Sequence, residues 1–324
     1  MFKNKNCLVT GGTGMIGRQV VKKLCDMGAR VKIASMDNLK VDSRADHNIV
    51  DLTLLKNCLQ ITQNMDYVFH LAGVKGSPKV TAEQPSSFFV PMLMFNTNVL
   101  EACRINSVER VVYTSSIGAY APARILSEDT AYDGSPMDTY PGWAKRMGEL
   151  QIQTYEIQYG LKNFSVVRIG TTYGPGDNFD PANAMVIPSL MAKIMRGDDP
   201  VEIWGDGSAV RDFAYSGDIA DGIIQVLIAN IGSQVVNLGG GQGYSIKQLV
   251  GGLHSFLVFN SAFDPTKPTG VKERILSIEL AKKLIGYEPQ TSLIVGLVET
   301  WEWYSLNREE YKLRKNYFNG SMRH

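Results

Sequence analysis

Cysteine and histidine are scarce in this chain, four of each among 324 residues. Cys7, Cys25, Cys58 and Cys103 lie in the first third without paired spacing, and His47, His70, His254 and His324 form no ligand motif. A zinc site or a disulfide framework is therefore not expected, and no metal is assigned. The thiols read as reduced, buried, small apolar residues and the histidines as structural. Charge of one sign is missing too. With 33 basic and 32 acidic residues the net charge is +1, so no bulk field argues for nucleic acid or an anionic membrane, and an anionic ligand has to be met by local groups. No apolar run reaches bilayer-spanning length, and the opening MFKNKN leads into a strand-like CLVT, unlike a signal peptide. The expectation is a cytoplasmic protein. Internal repeats and low-complexity linkers are also lacking.

What is present is a regular alternation. CLVT, GRQVVKKLCDMG, RVKIAS, DLTLLKNCLQ, YVFHLAG, NTNVLEACRI and RVVYTSS take turns between β-rich and amphipathic helical patterns, which calls for a parallel sheet covered on both faces with right-handed crossovers. The expected fold is α/β: a Rossmann-type doubly wound parallel sheet over 1–170, with a return crossing near 209–238, and a smaller mixed α/β C-terminal substrate lobe making up most of 171–324. After SVVRIG comes GTTYGPGDNFDPAN, a long loop of the kind that is more often functional than idle. Beyond it, IPSLMAKIMRG reads as a helix, PVEIWG and QVVNLGG as strands, and SGDIADGIIQVLIAN as a helix capped by Ser216 or Asp218.

CLVTGGTGMIGRQVV sets Gly11, Gly14 and Gly17 between a strand and a helix, and Gly12 completes GxGxxG. In that context glycine lets the backbone approach a pyrophosphate and the helix N-terminus offers N–H donors, so Gly11, Gly14, Met15, Ile16 and Gly17 are expected to hold a dinucleotide. The second strand ends in ASMDN, with Ser35 where a ribose-binding acid is usual and Asp37 two residues on. Asp37 in reach of the ribose hydroxyls favours NAD; the space at Ser35, with Lys40 or Arg44 nearby, keeps NADP open. Asp51 and Leu52 are placed to flank adenine, although Asp51 reads equally well as a helix cap. Leu71, Ala72 and Gly73, after the fourth strand, complete the cofactor-lining set.

TGGTGMIG, FHLAG, YTSS and the AKRMGE helix together resemble the extended short-chain dehydrogenase/reductase family, the nucleotide-sugar epimerases and dehydratases. TTYGPGDNFDPANAMVIPSL, IWGDGSAVRDF and KPTGVKERIL are similar to its GDP-fucose synthase branch, and the resemblance runs from about residue 5 to about residue 305. It implies that Ser116, Tyr140 and Lys145 handle a proton while a nicotinamide handles the hydride. Lys145 would lower the phenol pKa and hold the nicotinamide ribose.

Tyr140 stands five residues before Lys145, and Pro141 occupies the family's tyrosine position. One residue swings a helical side chain by about 100°. Pro141 suits the first helical position, so Tyr140 is expected just outside the helix, with its phenol folded back toward Ser116. The rival reading is that Tyr140 packs and that water or another hydroxyl completes the relay; Tyr120 reads as a packing residue. Gly118 and Met185 stand where the fucose synthases carry a Cys and a His for 3,5-epimerisation, so that step is not expected. IGAYAP offers no acid for a dehydratase.

The resemblance further implies a diphosphate clamp from Arg211 and Arg274, with Lys193 assisting, and sugar contacts from Lys75, Thr171 and Asn178. Against this stand surface salt bridges, such as Arg211 with Asp212 or Asp218, and a turn-capping role for Asn178. The 143–159 helix shows two apolar faces, which predicts a homodimer. The expected function is NAD(P)-dependent interconversion of a C4 hydroxyl and a C4 ketone on a nucleotide-diphosphate sugar, which the resemblance implies is GDP-linked, without 3,5-epimerisation. A C4 epimerase that retains its cofactor is the enzymatic alternative, and an inactive dinucleotide sensor or scaffold the alternative from another class.

Overall fold

A computed structural model describes residues 1–74, 78–180 and 184–313. The first half runs β1 (Asn6–Thr10), α1 (Met15–Asp26), β2 (Arg30–Ser35), β3 (Asp46–Ile49), α2 (Leu55–Thr62), β4 (Tyr67–His70), α3 (Pro78–Glu83), α4 (Pro85–Ile105), β5 (Arg110–Ser116), β6 (Ile125–Leu126), α5 (Thr139–Tyr159) and β7 (Phe164–Ile169). The second half runs β8 (Thr171–Tyr173), α6 (Val186–Arg196), β9 (Val201–Trp204), β10 (Val210–Tyr215), α7 (Ser216–Ala229), β11 (Val235–Leu238), β12 (Gly243–Ser245), α8 (Ile246–His254), β13 (Ser261–Asp264), β14 (Glu273–Leu276), α9 (Glu279–Ile285) and α10 (Leu293–Leu306).

The main sheet has the order β11-β7-β5-β4-β1-β2-β3, and every neighbouring pair is parallel. Strands β4 and β7 are buried along their whole length, as strands covered on both faces must be. Two apolar cores flank the sheet: residues of α1 and α7 pack on one face and residues of α2, α4 and α5 on the other. This is the doubly wound α/β arrangement. Strand order reverses between β1 and β4, and such a reversal opens a crevice at the carboxyl ends of the strands.

A second sheet, β12-β10-β14-β6 with β8 beside β10, and a β13-β9 ribbon surround a third core built from α6, α8 and α10. No described helix is long and apolar enough to cross a membrane.

Two helix starts differ from the sequence reading. Tyr215 is the N-cap of α7, and Asp218, in its first turn, accepts instead from Thr291 N and Oγ1, both at 3.0 Å. Helix α5 begins at Thr139, so Tyr140 and Pro141 lie inside its first turn. The first N–H groups of any helix lack intrahelical acceptors, and a proline is as harmless at the third position as at the first.

Candidate active site

At the end of β1, Gly11 adopts φ +67°. A Cβ there would lie 2.9 Å from Ala72 Cα and 3.0 Å from Leu71 O, and one on Gly17 would lie 2.7 Å from Gly12 Cα. The turn is therefore pressed against the end of β4 at a distance only glycine permits. Gly14 caps α1 with no side chain, and the first turn carries no acid, so the N–H groups of Met15, Ile16 and Gly17 remain for an anion. A Cβ on Gly73 would meet nothing within 4 Å, which leaves this edge open. The Thr13 hydroxyl meets Ser35 Oγ at 2.7 Å and donates to Asp37 Oδ2 at 2.8 Å, while Asp37 N donates to Ser35 Oγ at 3.1 Å. Asp37 is thereby tied to the glycine turn. Arg44, a candidate for a 2′-phosphate, pairs with Asp42 at 2.7 Å and with Asp26 at 2.8 Å. Asp51 accepts from Thr53 N and Oγ1 at 2.9 and 2.7 Å, closing a turn ahead of α2, whose N-cap is Leu54, so it is not the helix cap; Leu52 beside it is buried. A glycine cradle, an uncapped helix N-terminus and an acid at the end of β2 together fit a dinucleotide.

Ser116 ends β5 and its Oγ accepts from Gly118 N at 3.1 Å, capping the short 3₁₀ turn Ile117–Ala119. Lys145 is buried on α5. Its Nζ donates to Thr114 O at 2.7 Å and stands 5.2 Å from the centre of the Tyr113 ring. Burial lowers its pKa to about 8, against the pull of Glu149. Behind it Glu149 and Arg168 form an ion pair at 2.7 Å, 0% and 1% exposed, joined by Ser115 and Tyr132. His70 bridges Thr10 Oγ1 at 2.7 Å and Asn96 Oδ1 at 3.0 Å. Burial, and then Lys145, hold its pKa down at about 3, so it is a neutral structural residue. Tyr120 is buried and donates to Asn237 Oδ1 at 2.6 Å, as a packing residue would.

Tyr140, expected to fold back toward Ser116, is 43% exposed and packs edge-on against Phe89 of α4, ring centres 6.1 Å apart, and among the described residues its hydroxyl bonds neither Ser116 nor any other group. The residue turned toward the Ser116 turn is Asp138, which the sequence reading passed over. It is the N-cap of α5, yet its side chain makes no cap bond. A Cβ on Gly118 would lie 2.8 Å from Asp138 Cγ, so the carboxyl fills the space a side chain at 118 would take. The signal was in the numbering: Asp138 precedes Lys145 by seven residues, two helical turns, which returns to within about 20° of the same azimuth.

Arg211 and Arg274 are register partners on β10 and β14. Arg211 donates to Val210 O at 2.7 Å and Thr269 O at 2.8 Å, and Arg274 Nη1 meets Met137 Sδ at 3.4 Å. Arg274 Nε is buried with no partner among the described residues. Neither guanidinium pairs with a carboxylate among the described residues. Asp212, the alternative salt-bridge partner for Arg211, accepts instead from Gly240 N at 2.7 Å and Leu276 N at 3.4 Å, and burial raises its pKa to about 7. Desolvation, and then Arg274, lower the pKa of Arg211.

The other substrate candidates gather less well. Thr171 lies on β8 opposite Phe213. Asn178 Oδ1 accepts from Asp180 N at 3.1 Å, closing a turn, and Lys193 donates to Glu202 O at 2.6 Å, apart from the arginine pair. Lys75 lies outside the described residues.

Residues 7–239 match the family model described as the NAD dependent epimerase/dehydratase family. The chain is 28% identical to a dTDP-4-dehydro-6-deoxy-D-allose reductase of a Streptomyces species, over 95% of this chain and 98% of the relative. It is 29% identical to GDP-L-fucose synthase 1 of Arabidopsis thaliana, over 94% of each. Among solved structures it is similar to the UDP-glucuronic acid 4-epimerase of Bacillus cereus in complex with UDP-glucuronic acid and NAD, with a TM-score of 0.78 and 25% identity over 93% of this chain and 99% of the other.

Proposed function

Since the chain belongs to the NAD-dependent epimerase/dehydratase family, and is thus an NAD(P)-dependent nucleotide-sugar enzyme, we propose that it interconverts a C4 hydroxyl and a C4 ketone on a GDP-linked sugar, without 3,5-epimerisation. The observation that carries this reading is the pair of carboxylate-free guanidiniums, Arg211 and Arg274. Arg274 meets Met137, next to Asp138, which lies against Gly118 in the Ser116 turn. Two adjacent forks, neither bonded to a carboxylate among the described residues, suit a diphosphate, and a sensor of dinucleotide alone has no use for them.

The glycine turn with Met15 and Ile16 would hold the pyrophosphate, Asp37 the adenosine ribose, Leu52 the adenine edge, and Leu71, Ala72 and Gly73 the central part of NAD. When bound, the nicotinamide supplies hydride exchange at the sugar carbon. Lys145 would hold its ribose and keep a positive charge beside the reacting oxygen, and Ser116 would donate to that oxygen. Arg211 and Arg274 would fix the diphosphate, and Thr171 would border the sugar. Arg44, spent on Asp42 and Asp26, leaves the 2′-phosphate without that ligand, which favours NAD over NADP. Gly118 and Met185 carry no proton and exclude the route through C3 and C5. The names of the two relatives, a reductase and a synthase, support reduction. The likeness to a 4-epimerase favours a second reading, C4 epimerisation with retained cofactor. A cytoplasmic homodimer, joined through the exposed apolar residues of α4 and α5, belongs to the same proposal.

The test is to mix the purified protein and NAD(H) with GDP-, dTDP- and UDP-linked 4-hydroxy and 4-keto sugars and to follow reduced-nicotinamide absorbance. A change with the GDP-linked sugar is expected. Product inverted at C4 without net absorbance change selects the epimerase, and tight nucleotide binding with no conversion of any sugar overturns both.

A further inference from the structure

Asp138 has the position of an ordinary helix cap and does not act as one. Aspartate at an N-cap accepts from the N–H of the second or third helical residue; here the third is Pro141, which has no N–H, and no side-chain cap bond is formed. The carboxyl is turned onto the 3₁₀ turn after β5. Its Cβ and Cγ lie 2.9 and 2.8 Å from where a Gly118 Cβ would stand, so only glycine at 118 admits it. The backbones fix this approach, with Asp138 N donating to Gly118 O at 3.2 Å and Met137 N to Tyr120 O at 2.7 Å. A Cβ on Gly142, one turn on, would overlap the Gly118 carbonyl. Ser116 Oγ sits on the N–H of that same Gly118.

Asp138 is exposed as a residue, although protein surrounds the carboxyl closely enough that desolvation raises its pKa, with Arg274 pulling the other way. Both descriptions fit the wall of a cleft, with part of the residue open to solvent and the carboxyl held against protein. Arg274 of β14 is the charged group facing it; the turn contributes Gly118 and Ala119, and Tyr140 is turned to Phe89.

We infer that Asp138 is the acid–base group for the sugar C4 oxygen, working beside Ser116 in a site whose usual tyrosine position is held by Pro141. The inference rests on the oxidoreductase reading of this cleft. In reduction, hydride arrives at C4 as the Asp138 carboxyl proton passes to the carbonyl oxygen, leaving a carboxylate that solvent reprotonates. In oxidation the carboxylate takes the hydroxyl proton as hydride leaves for NAD. A raised carboxyl pKa suits a donor near neutral pH, where an ordinary aspartate is already ionised.

Asp138→Asn and Tyr140→Phe are compared with the unaltered protein for kcat, KM, NAD binding, unfolding midpoint and pH profile, with difference infrared titration of the carboxyl band. Asp138→Asn is expected to lose kcat by about 10²- to 10⁴-fold, with KM and NAD binding within about threefold and the carboxyl's limb of the profile gone (the fall with rising pH in reduction, the fall with falling pH in oxidation), and to lose at least tenfold more than Tyr140→Phe. Asp138→Asn turning over with the unaltered pH limb, or Tyr140→Phe taking the larger loss, overturns the assignment. Conversion of no sugar by the unaltered protein overturns the oxidoreductase reading instead, and the infrared titration then decides. A band absent in Asp138→Asn that titrates above the ordinary carboxylate range and shifts with GDP-mannose supports Asp138; one in the ordinary range that GDP-mannose leaves unmoved refutes it.

Discussion

Lys145 keeps an ammonium in the protein interior with one carbonyl, Thr114 O, and one ring face, Tyr113, to compensate it. Its folded pKa, lowered to about 8 from 10.5, works against stability wherever the folded lysine is charged. Below pH 8 both folded and unfolded chains hold the proton and the whole cost is present. Between 8 and 10.5 the unfolded chain holds more protons than the folded one, so stability rises with pH across that window. The cost is roughly 3 kcal/mol. Lys145→Met is therefore expected to be about 1–3 kcal/mol more stable than the unaltered protein at pH 7, with the gap closing by pH 10.5, while turnover is lost. Urea unfolding from pH 7 to 10.5 checks this; a gap that does not change with pH counts against it.

Helix α5 carries Gly142 and Lys145 and follows directly on Asp138, and its seat on the sheet is set by Glu149. That carboxylate takes Arg168 of β7, Ser115 of β5 and Tyr132, and both ion-pair partners are out of water. Glu149→Ala leaves a buried guanidinium without its counter-charge and is expected to cost about 3–5 kcal/mol, whereas Glu149→Leu combined with Arg168→Met recovers most of the loss. Chemical denaturation measures both; a double variant as unstable as the single one is the contrary result. The strands and helices of the first half were legible in the sequence because hydrophobic periodicity is local. The network on Glu149 was not, since Ser115, Tyr132, Glu149 and Arg168 are separate in sequence and meet only through strand order. The start of α5 was misread because a proline tolerates any of the first helical positions, so Pro141 did not mark the boundary. Asp138 was missed for a related reason: an aspartate before a helix looks like a cap until its carboxyl is seen elsewhere. Both arginines came from the resemblance, but their adjacency is a matter of β10–β14 register, which no local pattern encodes.

At the scale of the molecule, α4 and α5 lie side by side and leave Val90, Met94, Trp143, Met147 and Leu150 exposed. An apolar group of this kind on a folded surface calls for a partner, and in the proposed homodimer a second copy of the same helix pair would meet it with twofold symmetry. Leu150→Arg is expected to shift sedimentation from dimer to monomer, weakening association by about 10²-fold or more; an unaltered protein that sediments as a monomer at tens of micromolar removes the idea. The order of the main sheet carries another consequence. Strand β11 reaches β7 only after the chain has passed through β8, β9 and β10, and α7, which precedes it, covers one flank of the sheet. During synthesis the ribosome must release residue 238 before β7 gains its outer neighbour, and until then an apolar flank and a bare strand edge stay open to chaperones or to other nascent chains.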